Sequence, residues 1–265
     1  MKRILLTLSF PLMLCANVYY AKVEPFLTTT VKSAVSGEVL DVALEQEGKM
    51  LDDNRTIVWI DDRLDKVNLT STKARLKILQ SRLLVNQESL EKLLESKKRQ
   101  KRYYQRLSKL STSSQTQKDN AYGGYVSKET QYLNTKEKIL TLQQQQLDLE
   151  DRQAQLEDQI AKKQLHSTHR YLYKLMVHKG DFVAPGTPLA VVQDLSRAKL
   201  VLFLEPEVVE RLSASTLYLN GKKSDYRVNK VWQVSDEKYL SSYRAEIYID
   251  AKAFPFSRLI QVEIK

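Results

Sequence analysis

The chain contains two related stretches that lie far apart in the sequence. Residues 39–60 read VLDVALEQEGKMLDDNRTIVWI, and residues 171–192 read YLYKLMVHKGDFVAPGTPLAVV. They align at a fixed offset of 132 residues, which places Gly48 on Gly180. Glycine adopts a positive φ without strain, so the pair predicts two equivalent turns. We therefore expect two copies of one β unit.

The remaining positions of the two copies agree with this alignment. Leu51 falls on Val183, and Ile57 falls on Leu189, so apolar residues recur at matching places. Asparagine is the commonest substitute for glycine in a left-handed turn. The predicted turn residues are Gly48, Asn54, Gly180 and Gly186. Two matching halves predict one β domain whose strands are separated by an insertion.

The insertion has the pattern of a long helix that packs on another helix. Apolar residues between positions 62 and 107 recur at alternating spacings of three and four, which is typical of a coiled coil. One heptad series is Leu69, Leu76, Leu83, Leu90, Lys97 and Tyr104, and the other is Thr72, Leu79, Asn86, Leu93, Gln100 and Leu107.

A Ser/Thr cluster at residues 108–114 predicts a turn, because these side chains compete with helical hydrogen bonds. The helix then resumes, so the two arms run antiparallel, each on the order of 65–75 Å long. Gly123-Gly124 indicates a local break near the start of the second arm. Its seam holds Tyr132, Ile139, Leu142, Leu149, Leu156 and Ile160, and a neighbouring row holds Leu133, Leu140, Leu147, Ala154 and Ala161.

The second row makes the apolar surface of the second arm wider than one partner helix requires. Packing against something besides the first arm is one interpretation, and an isolated coiled coil is an equal alternative.

Residues 198–265 predict a small β-barrel. Short alternating strands surround one short helix that begins at Pro206, and Asn220-Gly221 is a strong two-residue hairpin turn. The predicted strands are 200–204, 216–219, 226–234, 244–249 and 259–264.

The first residues are typical of an export signal. A positive start at residues 1–3 precedes an apolar run at residues 4–14, which is shorter than the ~20 residues of a membrane span. We expect cleavage after Ala21, with an uncleaved anchor or a lipid on Cys15 as alternatives. Because Cys15 is the single cysteine, a cleaved chain has no disulfide and no thiol chemistry.

This order of segments resembles the periplasmic adaptor, or membrane fusion protein (HlyD-like), family over residues 31–265. The local matches are Ser36-Gly37-Glu-Val39 and the run from Gly180 to Leu189. The resemblance implies an elongated α+β fold. A lipoyl-like β-sandwich is split by a long antiparallel coiled-coil hairpin and is followed by a small β-barrel. The expected segments are 1–21 (signal peptide), 30–62 and 167–197 (lipoyl-like halves), 63–166 (hairpin, tip near 108–114) and 198–265 (barrel).

The resemblance also implies a function. Adaptors of this kind bridge an inner-membrane transporter, here of the resistance-nodulation-division (RND) or ABC type, to a TolC-like outer-membrane channel. They work in the periplasm and assemble side by side into a ring of six copies. In the family's channel-docking pattern, Leu107 and Ser114 fall at the leucine and serine positions, and Tyr103 stands where the family often has arginine, flanked by Arg102 and Arg106. The resemblance implies that these five residues form the docking tip.

No motif for chemistry appears, so we expect neither an enzyme nor a cofactor. His166, His169 and His178 lack further ligands at metal-binding spacing, which favours no metal site. The basic run at residues 97–102 suggests a solvated helix face rather than a nucleic-acid site, because an exported chain seldom meets nucleic acid. The alternative function is a secreted coiled-coil spacer or chaperone without a transporter.

Overall fold

The computed structural model describes residues 17–51, 55–235, 239 and 241–265. Two long helices separate two groups of strands, and short 3-10 turns lie at Leu44–Gln46 and Leu212–Ala214. The strands are β1 (Asn17–Lys32), β2 (Gly37–Val42), β3 (Arg55–Ile60), β4 (Gln164–Ser167), β5 (Tyr171–Leu175), β6 (Phe182–Val183), β7 (Pro188–Leu204), β8 (Leu217–Leu219), β9 (Lys222–Ser224), β10 (Val228–Ser235), β11 (Tyr243–Asp250) and β12 (Leu259–Ile264); the helices are α1 (Arg63–Lys109), α2 (Gln115–Lys162) and α3 (Pro206–Arg211).

The first β domain is built from both sides of the helical insertion. Its smaller sheet has the order β4-β3-β2-β6, and it faces β5 and the first part of β7. One buried cluster contains Val39, Val42, Leu51, Ile57, Val58 and Ile60 from before the helices, with Leu172, Leu175, Val177, Val183, Leu189, Ala190 and Val192 from after them. The two halves therefore share one core, and the predicted split sandwich is confirmed.

The turn glycine of each copy of the repeat donates a hydrogen bond to the other copy. The Gly48 N–H donates to the Leu172 carbonyl, and the Gly180 N–H donates to the Val39 carbonyl, both over 2.8 Å. These glycines have φ of 79° and 92°, and Gly186 has φ of 93°. Each turn is thus tied to a strand of the other copy. Asn54 lies outside the described residues.

The helices α1 and α2 form a hairpin, each about 70 Å long at ~1.5 Å per residue. All twelve heptad positions predicted on α1 are buried or half-buried, and Leu79 and Leu83 pack with Ile139 and Leu142 in one buried cluster. The predicted seam of the coiled coil is therefore confirmed.

The predicted break at Gly123-Gly124 is wrong, because α2 continues through both residues. Each glycine costs a helix about 1 kcal/mol, and packing along the partner helix outweighs that local penalty. A Cβ at Gly124 would lie 3.7 Å from the Gln100 side chain of α1, so the two helices stay close at this level.

The hairpin joins the first β domain through a charged cluster, which we call the root. The Asp62 side chain is fully buried and contacts Lys66 Nζ over 2.8 Å, while Gln164 Nε2 donates to it over 3.2 Å. Lys163 Nζ donates to the Asp61 carbonyl over 2.7 Å. Burial alone would raise the pKa of Asp62, but hydrogen bonds from Lys66 and Gln164 hold that pKa below its usual value. Charged groups from both ends of the hairpin thus fix its base.

The hairpin ends earlier than the predicted boundary at residue 166. Helix α2 ends at Lys162, and residues 164–167 form β4, which pairs with β3. The hairpin ends before residue 166 because His166 pairs with Thr56 of β3. Strand β4 therefore forms the edge of the smaller sheet instead of continuing the helix.

The second β domain is a sheet that curls around its own core, as the predicted barrel requires. The strand order of the large sheet is β10-β11-β7-β1-β12-β8-β9, and β5 also pairs with β7. Its core draws on β1, β7, α3, β8, β11 and β12 and holds Ala21, Val23, Ala198, Leu200, Leu202, Leu204, Val208, Leu217, Leu219, Ala245, Ile247, Ile249, Ile260, Val262 and Ile264. Asn220 and Gly221 have φ of 52° and 77° between β8 and β9, which confirms the hairpin turn expected there.

Strand β1 was not expected from the sequence, and it joins the two β domains. Its first part, from Asn17 to Lys22, pairs with β12, and the rest pairs with β7. Ala21 is buried in the core of the second domain. Cleavage after Ala21 stays a prediction, but it would remove five residues that this sheet uses. The expected lipid site, Cys15, lies outside the described residues.

Candidate docking surfaces

The end of the hairpin is a short, well-capped turn, which we call the tip (residues 110–114). The Ser114 hydroxyl accepts a hydrogen bond from the Gln117 N–H over 3.2 Å, and the Gln117 side chain accepts from the Ser114 N–H over 3.0 Å. This capping box begins α2, and the Leu110 N–H closes α1 on the Leu107 carbonyl. Local hydrogen bonds therefore account for the position of the turn.

The residues predicted to dock on a channel all lie at or near the tip. Arg102, Tyr103 and Arg106 are exposed on the last turns of α1, and Leu107 is half-buried at the end of the seam. Ser114 is exposed, but its oxygen already accepts the capping hydrogen bond. The geometry therefore leaves its hydroxyl hydrogen available as a donor.

Sequence reasoning missed two features of the tip. Leu110 is 51% exposed at the outermost turn, so it presents more apolar surface than Leu107 does. The Ser114-Gln-Thr-Gln117 pattern is a capping box, and its spacing was the signal that could have placed the start of α2.

The tip region carries a concentrated positive charge. Residues 97–119 contain eight lysines and arginines against one acidic residue, Asp119. Lys97 is neutralised by Glu129 over 2.9 Å, while Arg102 and Arg106 stand exposed beside Tyr103. Below them, the rings of Tyr104 and Tyr122 pack across the hairpin with centroids 5.2 Å apart. The tip is thus a cationic, partly apolar end on a firmly packed pair of helices.

A second polar surface covers the outer side of β7, β10 and β11, which we call the aromatic–cation face. Trp232 lies under Lys230 Nζ at 4.2 Å and beside Arg244 at 4.8 Å. The nearly buried Glu246 pairs with Arg244 over 2.9 Å and with Lys199 over 3.6 Å. Such faces combine large contact area with charge, which suits a protein interface.

The described residues contain no group of three or more His, Cys, Asp or Glu side chains that could hold a metal. His166 Nδ1 lies 3.3 Å from the Thr56 hydroxyl, and His178 lies 3.7 Å from Asp181. His169 occupies a left-handed turn with φ of 53°. Within residues 17–51, 55–235, 239 and 241–265, no helix combines the length and apolar character needed to cross a membrane.

Comparisons with known proteins give similarity at the level of structure only. No protein-family model matches the chain, and no curated protein matches it. Among solved structures, MacA from Actinobacillus actinomycetemcomitans aligns with a TM-score of 0.69 at 17% identity, covering 94% of this chain and 78% of that one.

Two further solved structures are also similar to the chain over most of its length. The membrane fusion protein Spr0693 from Streptococcus pneumoniae R6 has a TM-score of 0.61 at 10% identity, covering 93% of this chain and 99% of that one. A MacA-MexA chimera carrying the Pseudomonas aeruginosa MexA hairpin has a TM-score of 0.58 at 15% identity, covering 94% of this chain and 78% of that one. The chain therefore has the membrane fusion protein fold, as the sequence predicted.

Proposed function

We propose that this protein is a periplasmic adaptor subunit of a tripartite export pump. It bridges an inner-membrane transporter of the RND or ABC type to a TolC-like outer-membrane channel. The observation that carries the proposal is the hairpin of about 70 Å. It projects from a β domain whose single core is formed by strands from before and after the hairpin. Its cationic, partly apolar tip and the β domains at its other end give the molecule two separate docking ends.

The tip supplies the contacts for the channel. Leu110 and Leu107 offer apolar side chains for packing between helix ends, and the Ser114 hydroxyl offers a hydrogen-bond donor. Arg102 and Arg106 favour an acidic rim, since complementary charge speeds encounter and fixes orientation. Tyr103 takes the place of the arginine that the family often has there, and its ring adds contact area to this cationic end.

The second β domain supplies the contact for the transporter through the aromatic–cation face. Trp232 is held between two cations, so little side-chain freedom is lost when a partner covers it. The root keeps the hairpin and the β domains in one orientation, so movement of the transporter is transmitted to the channel. Copies self-associate into a ring, of six in the expected form, and an uncleaved signal or a lipid on Cys15 attaches them to the inner membrane.

The adaptor does no chemistry in this proposal and needs no cofactor, metal or nucleic acid. Its role is to seal the conduit between the transporter and the channel and to couple their conformational changes. A secreted coiled-coil spacer or chaperone would use the same helices without needing either docking end.

Affinity purification from chemically cross-linked cells tests the proposal. We expect the wild-type chain to recover an inner-membrane transporter and an outer-membrane channel. The variant Leu110→Asp should lose the channel and keep the transporter, because only the exposed tip has changed. Leu84→Asp, on exposed helix surface away from the tip, is the matched control and should keep both. Recovery of neither membrane protein by the wild type, under conditions that capture known pumps, would support the spacer or chaperone instead.

A further inference from the structure

Two strands, β1 and β7, run through both β domains and connect them. Strand β5 pairs with β7 as far as Gln193, in the first domain, and β11 pairs with β7 from Arg197 onward, in the second. Between these points, residues 194–196 of β7 have β1 as their neighbour in the sheet. The sheet is therefore narrow where one domain passes into the other. We call this section the joint (residues 25–27 of β1 and 194–198 of β7).

The backbone pairing of β1 with β7 is irregular at the joint. Pro25 pairs with Ala198, and Leu27 pairs with Asp194. A single residue of β1, Phe26, therefore stands opposite three residues of β7. Such a bulge interrupts the hydrogen-bond ladder and bends the strand that carries it. The backbone by itself would thus allow the two domains to change their relative angle.

Three side chains, which we call the clamp (Phe26, Arg197 and Tyr248), close over this irregular section. The guanidinium carbon of Arg197 lies 3.9 Å from the ring centroid of Phe26 and 5.7 Å from that of Tyr248. The two rings meet edge to face, with centroids 5.2 Å apart and planes at 79°. A planar guanidinium group stacks well on aromatic rings, and edge-to-face rings attract each other. The clamp therefore resists a change of angle at the joint.

The Tyr248 ring belongs to the second domain and is held there by the backbone. Tyr248 pairs with Lys199 in the ladder between β11 and β7. Its N–H also donates to the Asn229 side chain over 2.7 Å. A bend at the joint would consequently pull Phe26 away from a ring that cannot follow it.

The other end of the joint is tied to the first domain through Asp194. Its carboxylate accepts the Ser196 N–H over 2.9 Å and pairs with Arg170, the residue before β5. Because Asp194 also pairs with Leu27, the β1 residue next to Phe26 moves with the first domain. The clamp thus spans from a segment fixed to one domain to a ring fixed to the other.

We propose that the clamp locks the joint, so that the two β domains move as one body. The stacked side chains supply the stiffness that the interrupted ladder lacks, which makes the joint a latched bending point rather than a free hinge. The latch is a property of the chain itself and does not depend on the proposed function. In an adaptor, it would pass a movement of the second domain on to the root and the hairpin.

Distance measurement between two spin labels on the purified chain tests the latch. All variants carry Cys15→Ser, so the introduced thiols are the only ones. The labels are attached through Lys174→Cys in the first domain and Lys223→Cys in the second, both at exposed positions. We expect a narrow distance distribution in this parent chain, and one about twice as wide after Arg197→Ala or Phe26→Leu. The matched control, Arg55→Ala, changes an exposed arginine of β3 and should keep the parent width.

The variant Tyr248→Phe separates the stacking from the neighbouring polar contact. It keeps the ring but loses the hydroxyl, which donates to Glu246 over 3.3 Å. We expect the distribution to stay narrow in this variant. Widening as large as that of Arg197→Ala would assign the stiffness to the Glu246 contact and overturn the proposal.

Two further outcomes would also overturn it: a parent distribution as wide as that of Arg197→Ala, or equal widths for Arg197→Ala and Arg55→Ala. Trp59 in the first domain and Trp232 in the second report whether each domain stays folded. Loss of their native emission in both Arg197→Ala and Phe26→Leu would mean that these residues hold a domain rather than the joint. Purification of membrane partners is a separate readout. Absent partners with a working latch reject only the adaptor function, and recovered partners without a latch reject only this inference.

Discussion

Replacing Asp62 by alanine should destabilise the first β domain, because this fully buried carboxylate holds the root. The loss of its charged hydrogen bond with Lys66 costs about 1.5–3 kcal/mol in a typical case, and the bond from Gln164 adds about 1 kcal/mol. Lys66 is half exposed, so water can solvate its ammonium group in the variant. The cost of losing the Lys66 hydrogen bond therefore falls to the lower end of its range. Among the residues that the structure describes, Asp62 Oδ1 lacks a hydrogen-bond partner, so removing it relieves a burial cost. We therefore expect a net loss of about 2 kcal/mol.

The assay is urea unfolding followed by the fluorescence of Trp59, with Trp232→Phe in every chain so that one tryptophan reports. The control is Asp158→Ala, which breaks an exposed pair with Lys162 and should change the free energy of unfolding by less than about 0.5 kcal/mol. A loss from Asp62→Ala no larger than that of the control would refute the reasoning about the root.

The same variant gives a pH dependence with a defined sign. The pKa of Asp62 is lowered in the folded chain, so its contribution is present above the unfolded value of about 3.9 and fades as pH falls below it. The difference in stability between wild type and Asp62→Ala should therefore be constant near neutral pH and shrink below about pH 4. If the stability difference between wild type and Asp62→Ala grows on acidification, the pKa of Asp62 is not lowered in the folded chain.

Three further changes have expected outcomes. A chain starting at Lys22, as cleavage after Ala21 would leave it, should unfold at lower urea than a chain starting at Asn17, because it lacks five of the six residues that pair with β12. Leu172→Ala should cost about 2–5 kcal/mol in urea unfolding, whereas truncating the exposed tyrosine that follows it should cost far less. Gly37→Ala should lower the melting temperature, because its Cβ would lie 2.6 Å from a side chain of β3, while Gly123→Ala in open helix surface should raise it. Equal effects of the two alanines would contradict this geometry.

The sequence predicts the architecture where a pattern repeats. The 132-residue offset placed Gly48 and Gly180 in equivalent turns, and the heptads placed the seam of α1, because both patterns arise from packing that recurs along the chain. Because each pattern recurs several times, it stays recognisable despite single exceptions such as Lys97 within the seam.

Other elements could not be predicted, because their cause is not local. Strand β1 follows an apolar N-terminal run, and its pairing with β12 comes from the far end of the chain. Strand β9 is short and polar, and only its pairing with β8 defines it. The helix passes through Gly123-Gly124 because the partner helix outweighs local propensity. At the tip, Leu110 was missed because it lies outside the heptad series.

The most direct measurement of the bridging claim is photo-cross-linking in cells at the two ends of one molecule. A photoreactive residue at position 110 should capture an outer-membrane channel, and one at position 232 should capture an inner-membrane transporter. If both positions capture the same protein, or if neither captures a membrane protein in cells where a known adaptor does, the chain does not bridge the two membranes.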